Sequence, residues 1–234
     1  MNLVSVPSTY MNLNADYSTC ITANLRYCQS AYAAAINSTN AIWEDPQKLN
    51  NAVGLLYLDG MDGLLTACKA RQQYQYCLGT MYDACMNVPQ FINAGQTQDN
   101  ANLFVQLFKK MEFDCDGGFL QMSQNDRCIG TVWILSANEL AACTQKFNND
   151  IAQKVDFCVA SAHYEQCTRT YFGTACNQEV SWWQCERTRV GMSLDEYCPQ
   201  NVCTVLAASK SAQAAAQKPK LDYLQSIFNS YSSS

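Results

Sequence analysis

The segment CVASAHYEQCTRTYFGTACNQEVSWWQC, residues 158–185, places four cysteines nine residues apart. Because an α-helix turns by about 100° per residue, positions nine apart lie on opposite sides of it. A disulfide needs Cα atoms within about 7 Å of each other, so two such cysteines cannot pair inside one straight helix. The spacing therefore predicts helices that are bonded to neighbours on both sides, or that bend between cysteines. It leaves the pairing open.

The chain carries 14 cysteines in 234 residues, an even number as a closed set of disulfides requires. No Cys-x2-Cys pair of the zinc-binding kind is present, and thiols at this density are typical of an oxidising compartment. We therefore predict about seven disulfides. The cysteines that form them are Cys20, Cys28, Cys68, Cys77, Cys85, Cys115, Cys128, Cys143, Cys158, Cys167, Cys176, Cys185, Cys198 and Cys203.

Charge and composition exclude several classes of protein. The net charge is −5 and the pI is about 4.8, whereas a nucleic-acid-binding protein needs a basic surface. No apolar run approaches the ~18–20 residues of a transmembrane helix. Met1 is not followed by a charged and then an apolar stretch, so we expect a signal peptide that has been removed. We predict a secreted, extracellular protein, glycosylated at Asn37 in the sequon Asn37-Ser38-Thr39.

Helical periodicity runs through most of the chain, while Gly and Pro are few, at 10 and 5 residues. This pattern predicts an all-α fold, a disulfide-stapled helical stack or bundle. In the first part of the chain we predict helices over residues 18–36, capped by Ser18, over 46–58, capped by Asp45, and from Asp62 to Cys85 with an interruption near Gly79. A further helix begins at the cap Asp99, and another begins at the capping box Ser136–Glu139. The last two cover residues 151–185, with a turn at Gly173, and a short segment that begins at the capping box Ser193–Glu196.

Composition divides the chain into three parts. Residues 1–17 form an N-terminal segment, and residues 18–203 form the disulfide-linked helical domain. Residues 204–234 read as an Ala/Ser-rich linker and a C-terminal amphipathic helix, with an apolar stripe through Leu221 and Leu224.

A partial internal repeat lies within the domain. The pattern Cys-x-Ala-x3-Tyr-x2-Cys occurs at residues 68–77 and again at residues 158–167, and each copy continues to an Ala-Cys pair. A duplication that produced two similar sub-units would explain the repeat, and so would shared packing demands on bonded helices.

The cysteine spacing also carries a family resemblance. A closely spaced trio is followed by a Cys-x12-Cys step and then by a closing run near x8 spacing. The residues concerned are Cys68, Cys77 and Cys85, then Cys115 and Cys128, then Cys158, Cys167 and Cys176, with Cys20 and Cys28 preceding them. This order, over most of residues 20–190, resembles the nematode secreted cysteine-rich domain of unknown function nineteen. The resemblance implies a secreted, helical, disulfide-linked domain without known catalytic residues. Cys198 and Cys203 lie outside the pattern.

Three constellations could carry chemistry. His163 is the only histidine and lacks a catalytic motif around it, so we interpret it as a structural or surface residue. The run Glu112-x-Asp114-x-Asp116-Gly117 resembles the start of a calcium loop, but position 12 is Ser123, so a solvated acidic turn is favoured. We expect one ring of Trp182-Trp183 to enter the core beside Cys185, and a sugar- or partner-binding platform is the alternative.

These observations predict a protein without enzymatic activity, metal or cofactor. We expect a role in binding or structural assembly through an aromatic-rich and amide-rich surface, with an extracellular protein or another copy of the chain as partner. The alternative is a carrier of a small hydrophobic ligand, in a helical pocket near Leu103–Met111 and Val132–Leu135. A secreted hydrolase built around His163, and a filament joined by the C-terminal helix, are further alternatives.

Overall fold

Ten α-helices account for most of the part of the chain that the structure, a computed structural model, describes: residues 20–193 and 198–204. No β-strand occurs in these two ranges, so the all-α prediction is confirmed. The helices are α1 (Thr22–Ala35), α2 (Pro46–Leu58), α3 (Met61–Leu78), α4 (Tyr82–Cys85), α5 (Val88–Asn93), α6 (Gln98–Cys115), α7 (Phe119–Leu135), α8 (Ala137–Ala152), α9 (Phe157–Ala175) and α10 (Gln178–Met192), with 3-10 helices at Asn40–Glu44 and Gly79–Met81.

Several helix boundaries follow from local signals in the sequence. The carboxylate of Asp45 accepts a hydrogen bond from the backbone N–H of Gln47, and Pro46 is the first residue of α2. Gly79 has a φ of 55°, a left-handed conformation that suits glycine, and α3 ends before it as predicted. Thr97 rather than Asp99 caps α6, because its hydroxyl accepts from the N–H of Asn100 and Asp99 falls within the first turn.

The predicted turn at Gly173 is wrong. Helix α9 continues to Ala175, the chain turns at Cys176 and Asn177, and Gly173 lies inside the helix against Ser181 of α10. A Cβ on Gly173 would lie 2.9 Å from the Ser181 side chain, so this glycine serves the close approach of two helices. The predicted span 151–185 is also divided near Lys154, which has a φ of 59°.

The predicted capping box at Ser136 does not form. Ser136 separates α7 from α8, and its side chain makes no capping hydrogen bond. Its φ of −104° and ψ of 25° depart from the extended conformation in which an N-cap side chain reaches the next turn. The predictions for Ser18, for Glu196 in the second capping box and for the helix beyond residue 204 lie outside the described residues.

Seven disulfides join all 14 cysteines, with Cα–Cα distances of 5.0–5.9 Å. Within α3, Cys68 bonds to the end of α6 while Cys77 bonds to α1, so one helix is tied to two different neighbours as its spacing predicted. The pairs are Cys20–Cys85, Cys28–Cys77, Cys68–Cys115, Cys128–Cys176, Cys143–Cys167, Cys158–Cys198 and Cys185–Cys203.

The order of pairing is repeated. The first six cysteines, within residues 20–115, pair first with fifth, second with fourth and third with sixth. Six cysteines within residues 128–198 pair in the same order, and Cys185–Cys203 is an addition to the second set. Shared packing demands would not by themselves fix the order of pairing, so this agreement supports the duplication hypothesis. We call residues 20–115 the first half and residues 128–203 the second half.

The two halves meet across a buried ion pair. Asp114 of α6 is fully buried, and both of its carboxylate oxygens accept from Nε of Arg187 on α10, at 2.9 and 2.8 Å. The guanidinium carbon of Arg187 lies 5.5 Å from the ring centre of Trp183 and 5.7 Å from that of Trp133, within the range of cation–π interactions. No disulfide crosses from one half to the other, so side-chain packing and this ion pair hold the halves together.

Candidate functional site

The histidine lies at the surface. His163 on α9 is about half exposed, and its Nδ1 lies 3.0 Å from Oδ2 of Asp150 on α8. Every cysteine is in a disulfide, and no hydroxyl among the described residues hydrogen-bonds to the imidazole. The geometry agrees with the interpretation of His163 as a surface residue.

The acidic run after residue 111 forms no loop in which calcium could bind. Helix α6 continues through Glu112 and Asp114 to Cys115, so these side chains cannot converge as loop ligands do. Asp116 accepts from Arg71 at 2.9 Å, and Cys115 is bonded to Cys68. The favoured interpretation as a solvated acidic turn is wrong for Asp114, which is completely buried beside Arg187.

A second group of potential ligand atoms lies beside the extra disulfide. One carboxylate oxygen of Glu165 and the sulfurs of Cys185 and Cys203 lie within 4.8 Å of one another. The two sulfurs are bonded to each other, and a metal ligand must be a thiolate. Glu165 instead accepts hydrogen bonds from Ser161 at 3.1 Å and from Asn201 at 3.4 Å, which ties the segment after residue 198 to α9.

Most described aromatic side chains belong to the core, so the described part of the surface is not rich in aromatics as expected. Trp183 is fully buried against Trp133, and Trp182 packs edge-on against Phe113 at 6.1 Å. The tryptophan pair is therefore not an exposed platform. Only two aromatics are among the large, exposed apolar side chains of the described part, Tyr27 and Tyr76.

The residues predicted to line a ligand pocket do not enclose one. Phe104, Leu107, Phe108 and Met111 are buried against other core side chains, with Phe104 stacked on Phe91 at 5.0 Å. In the second predicted stretch, Ile134 and Leu135 face outward. The first stretch is thus part of the packed core, and the second places Ile134 and Leu135 at the surface, which weakens the carrier hypothesis.

The buried polar interface between α6 and α10 contains a lysine. Lys110 is buried and packs so tightly on Gly191 that a Cβ there would overlap its Cε. Its ammonium forms no hydrogen bond or ion pair with any residue that the structure describes. Burial and the nearby charge of Arg187 lower the pKa of Lys110 to about 7, against the opposing effect of Asp114.

The shifted pKa values of the buried side chains Glu165 and Lys110 predict that the free energy of unfolding is lowest near pH 7. Burial raises the pKa of Glu165 from 4.5 to about 7, so the folded protein becomes less stable as pH rises from 4.5 to 7. The pKa of Lys110 is lowered from 10.5 to about 7, so stability rises again between pH 7 and 10. The free energy of unfolding in urea, measured from pH 4.5 to 9.5, should fall and then rise.

Two variants separate these effects. Lys110→Met should remove the rise above pH 7 and stabilise the protein at pH 6 by on the order of 1–4 kcal/mol, whereas Glu165→Gln should reduce only the fall below pH 7. A rise above pH 7 that persists in Lys110→Met would show that another group causes it.

A group of exposed apolar side chains lies where α2, α3 and α7 meet. Five of the thirteen large exposed apolar side chains in the described part are found there, and we call them the apolar corner. The first four follow one another across the junction of α2 and α3 at intervals of three or four residues, and the fifth lies on α7. The residues are Leu55, Leu58, Met61, Leu65 and Ile134, with exposed fractions of 67, 44, 37, 49 and 60 %.

Two glycines make this corner tight. Gly60 has a φ of 70° and joins α2 to α3, a conformation that other residues rarely adopt. A Cβ on Gly63 would overlap the carbonyl oxygen of Leu56, so α3 begins directly against the end of α2. Helix α7 closes the corner, since Leu58 lies 3.7 Å from the position of a Cβ on Gly130. Ile134 follows Gly130 by one helical turn on nearly the same face.

The corner is bordered by negative charge. Asp59 and Asp62 are exposed beside Leu58 and Met61 in the chain. The carboxylate of Asp126 on α7 faces the backbone of Gly60, where it lies 2.8 Å from the position of a Cβ. Asp59, Asp62 and Asp126 form no ion pair with any residue in the described ranges. An apolar surface bordered by these three carboxylates is thus the candidate site that the described part of the molecule presents.

Comparison with known proteins identifies no relative: no family model, curated protein or solved structure matches the chain. Within the described residues, no helix has both the length and the apolar character that a membrane-spanning helix needs.

Proposed function

We propose that this protein is a secreted, non-enzymatic binding protein whose apolar corner contacts another extracellular protein. The observation that carries the proposal is the corner itself, five large apolar side chains left exposed on a scaffold that buries most of its described aromatic side chains. Seven disulfides with no free cysteine fit an extracellular protein.

The disulfides also preorganise the corner. Each bridge restricts the unfolded chain and is worth about 2–4 kcal/mol, so the folded surface persists outside the cell. Helix α3, which supplies Met61 and Leu65, is bonded to α6 through Cys68 and to α1 through Cys77. A surface that is already ordered loses little conformational entropy when it binds.

Structural assembly is the less favoured form of the same function. Two copies that met through the apolar corner would bring their carboxylates together, and like charges across an interface oppose association. Membership of the nematode family remains a prediction, and so do the absence of enzymatic activity, the removal of a signal peptide and the glycosylation of Asn37.

Site-specific photocrosslinking tests the proposal. A benzophenone amino acid replaces Leu58 in one sample and Leu120 in the other, because Leu120 on α7 is similarly exposed at 57 % and lies outside the corner. After irradiation in extracellular fluid of the source organism, we expect a crosslinked species from position 58 alone, with a mass that identifies a second protein. A species of twice the chain's own mass would indicate assembly. No excess crosslinking over the Leu120 control would contradict the proposal.

Glycosylation at Asn37 is a separate prediction. Asn37 is exposed in the turn after α1, with a φ of 53°, and its sequon is the only Asn-x-Ser/Thr triplet in the chain. Expression through a eukaryotic secretory pathway should give one glycan that peptide N-glycosidase removes. Thr39→Ala should abolish the mass difference and Ser38→Ala should keep it, because only the third position of the sequon is required. An unmodified Ser38→Ala variant would contradict the prediction.

A further inference from the structure

The shape of the apolar corner indicates the form of its partner. Leu55 and Leu58 lie one turn apart on α2, and Met61 and Leu65 lie one turn apart on α3. Together with Ile134 they present an apolar ridge that extends about one turn along each of these two helices. Ridges of this kind pack against the apolar stripe of another helix, which repeats at intervals of three and four residues.

The charges around the corner indicate which charge its partner carries. Asp59 and Asp62 lie beside the ridge, and Asp126 lies at the turn between its two parts. Arg127 follows Asp126, and Lys69 follows Leu65 by one turn, so the carboxylates exceed the cations around the ridge. Asp126 accepts a hydrogen bond from the backbone N–H of Arg127, but none of the three carboxylates pairs with a cation among the described residues, so each can pair with lysine or arginine from another chain.

Two other occupants fit less well. A second copy of the protein would meet the ridge with the same carboxylates. An anionic membrane surface would be repelled by the same charges, since peripheral membrane binding depends on basic residues around an apolar face.

We propose that the apolar corner binds an amphipathic helix whose apolar stripe is flanked by lysine or arginine. This inference rests on the proposed function, because it names the chemistry of the partner that the corner contacts. The apolar stripe contributes most of the affinity, and the charge pairs contribute direction and a dependence on ionic strength.

Two synthetic peptides test the inference. The first is a fluorescent 16-residue helix with leucine at intervals of three and four residues and lysine on both sides, and the second carries glutamate in place of lysine. We expect the lysine peptide to bind roughly tenfold or more tightly than the glutamate peptide, by fluorescence anisotropy at low salt. The difference should shrink as the salt concentration rises. Equal affinities, or no binding of the lysine peptide, would overturn the inference.

Variants then locate the binding surface. The double variant Leu58→Ser and Leu65→Ser should weaken the lysine peptide by roughly tenfold or more, while Leu120→Ser should leave its affinity unchanged. The double variant Asp59→Asn and Asp62→Asn should bind both peptides with similar affinity. Circular dichroism and alkylation without reductant verify that each variant keeps its helices and its disulfides. Binding that survives the loss of Leu58 and Leu65 would place the peptide elsewhere and overturn the inference.

The crosslinking and peptide experiments test the proposed function and the partner's chemistry independently. If position 58 crosslinks to a second protein but the peptides bind equally, the proposed function stands and the charge preference falls. If the lysine peptide binds as expected but position 58 gives no crosslink, the corner can bind such a helix and the proposed extracellular partner falls.

Discussion

Arg187→Met should destabilise the folded protein by about 3–5 kcal/mol. The substitution keeps much of the side chain's volume but leaves the carboxylate of Asp114 buried without its partner, a change that costs far more than the ion pair itself contributes. It also removes the cation that lies over the rings of Trp133 and Trp183. The free energy of unfolding in urea, with disulfides intact, measures the effect.

Arg189→Met is the matched control. Arg189 lies on the same helix and pairs with Glu186 at 2.7 Å, but about a third of its side chain is exposed. Ion pairs three or four residues apart on one helix contribute about 0.2–0.5 kcal/mol, so this variant should remain close to the parent. The double variant Asp114→Leu and Arg187→Met should recover much of the loss, because it removes both buried charges. If Arg187→Met and Arg189→Met lowered the free energy of unfolding equally, the buried pair of Asp114 and Arg187 would not have the stabilising role assigned to it.

Trp43→Ala should lower the free energy of unfolding by about 3–5 kcal/mol, the range for removing a large aromatic side chain from a core. Trp43 comes from a five-residue 3-10 helix, and its ring stacks on Phe104 at 6.0 Å and on Phe108 at 5.8 Å. The indole N–H donates to the backbone carbonyl of Gln29 at 3.1 Å, so the substitution also leaves that carbonyl without this donor. Trp43→Phe should cost less, because it keeps the stacking and loses only the hydrogen bond and part of the volume.

Trp182→Ala is the comparison for this prediction, since Trp182 is only partly buried and contacts Phe113 edge-on. We expect a smaller loss of stability than for Trp43→Ala, measured by urea unfolding with both variants fully oxidised. A greater loss from Trp182→Ala would show that the burial of the Trp43 ring does not contribute the stability assigned to it.

Local patterns predicted much of the fold. Helix periodicity and the caps at Asp45 and Gly79 depend on neighbours in the sequence, so they can be read without knowing the tertiary structure. The lateral disulfides followed from the angle between cysteines nine residues apart. The pairing did not, because partners lie 18–65 residues apart and spacing alone does not select among them.

The buried polar interface could not be predicted, because its pattern resembles a solvated face. Asn102, Gln106, Lys110 and Asp114 recur every four residues on α6, in a row that lies beside the helix's apolar stripe and resembles its solvent-facing side. In the structure all four are buried, since α6 packs on α10 as well as on the first half. Amphipathic patterns identify one buried face, and a central helix has two.

The apolar corner was missed for the opposite reason. Helix α2 carries leucine at positions 55, 56 and 58 on several sides, so its sequence does not distinguish the core face from the exposed one. Tertiary packing decides the matter, with Val53 and Tyr57 turned inward and Leu55 outward. A signal was present in the two glycines of the Asp59–Gly63 stretch, between the helices predicted at residues 46–58 and from Asp62, because these glycines permit a tight junction.

The absence of any disulfide between residues 20–115 and residues 128–203 has a consequence for biogenesis. As a chain enters an oxidising lumen from its N-terminus, all six cysteines of the leading part can find their native partners before Cys128 arrives. Incorrect pairings between early and late thiols then have little opportunity to form, and the two sets of disulfides can form one after the other. The buried contact between Asp114 and Arg187 needs both parts, so in this order of synthesis it can form only after Arg187 has entered.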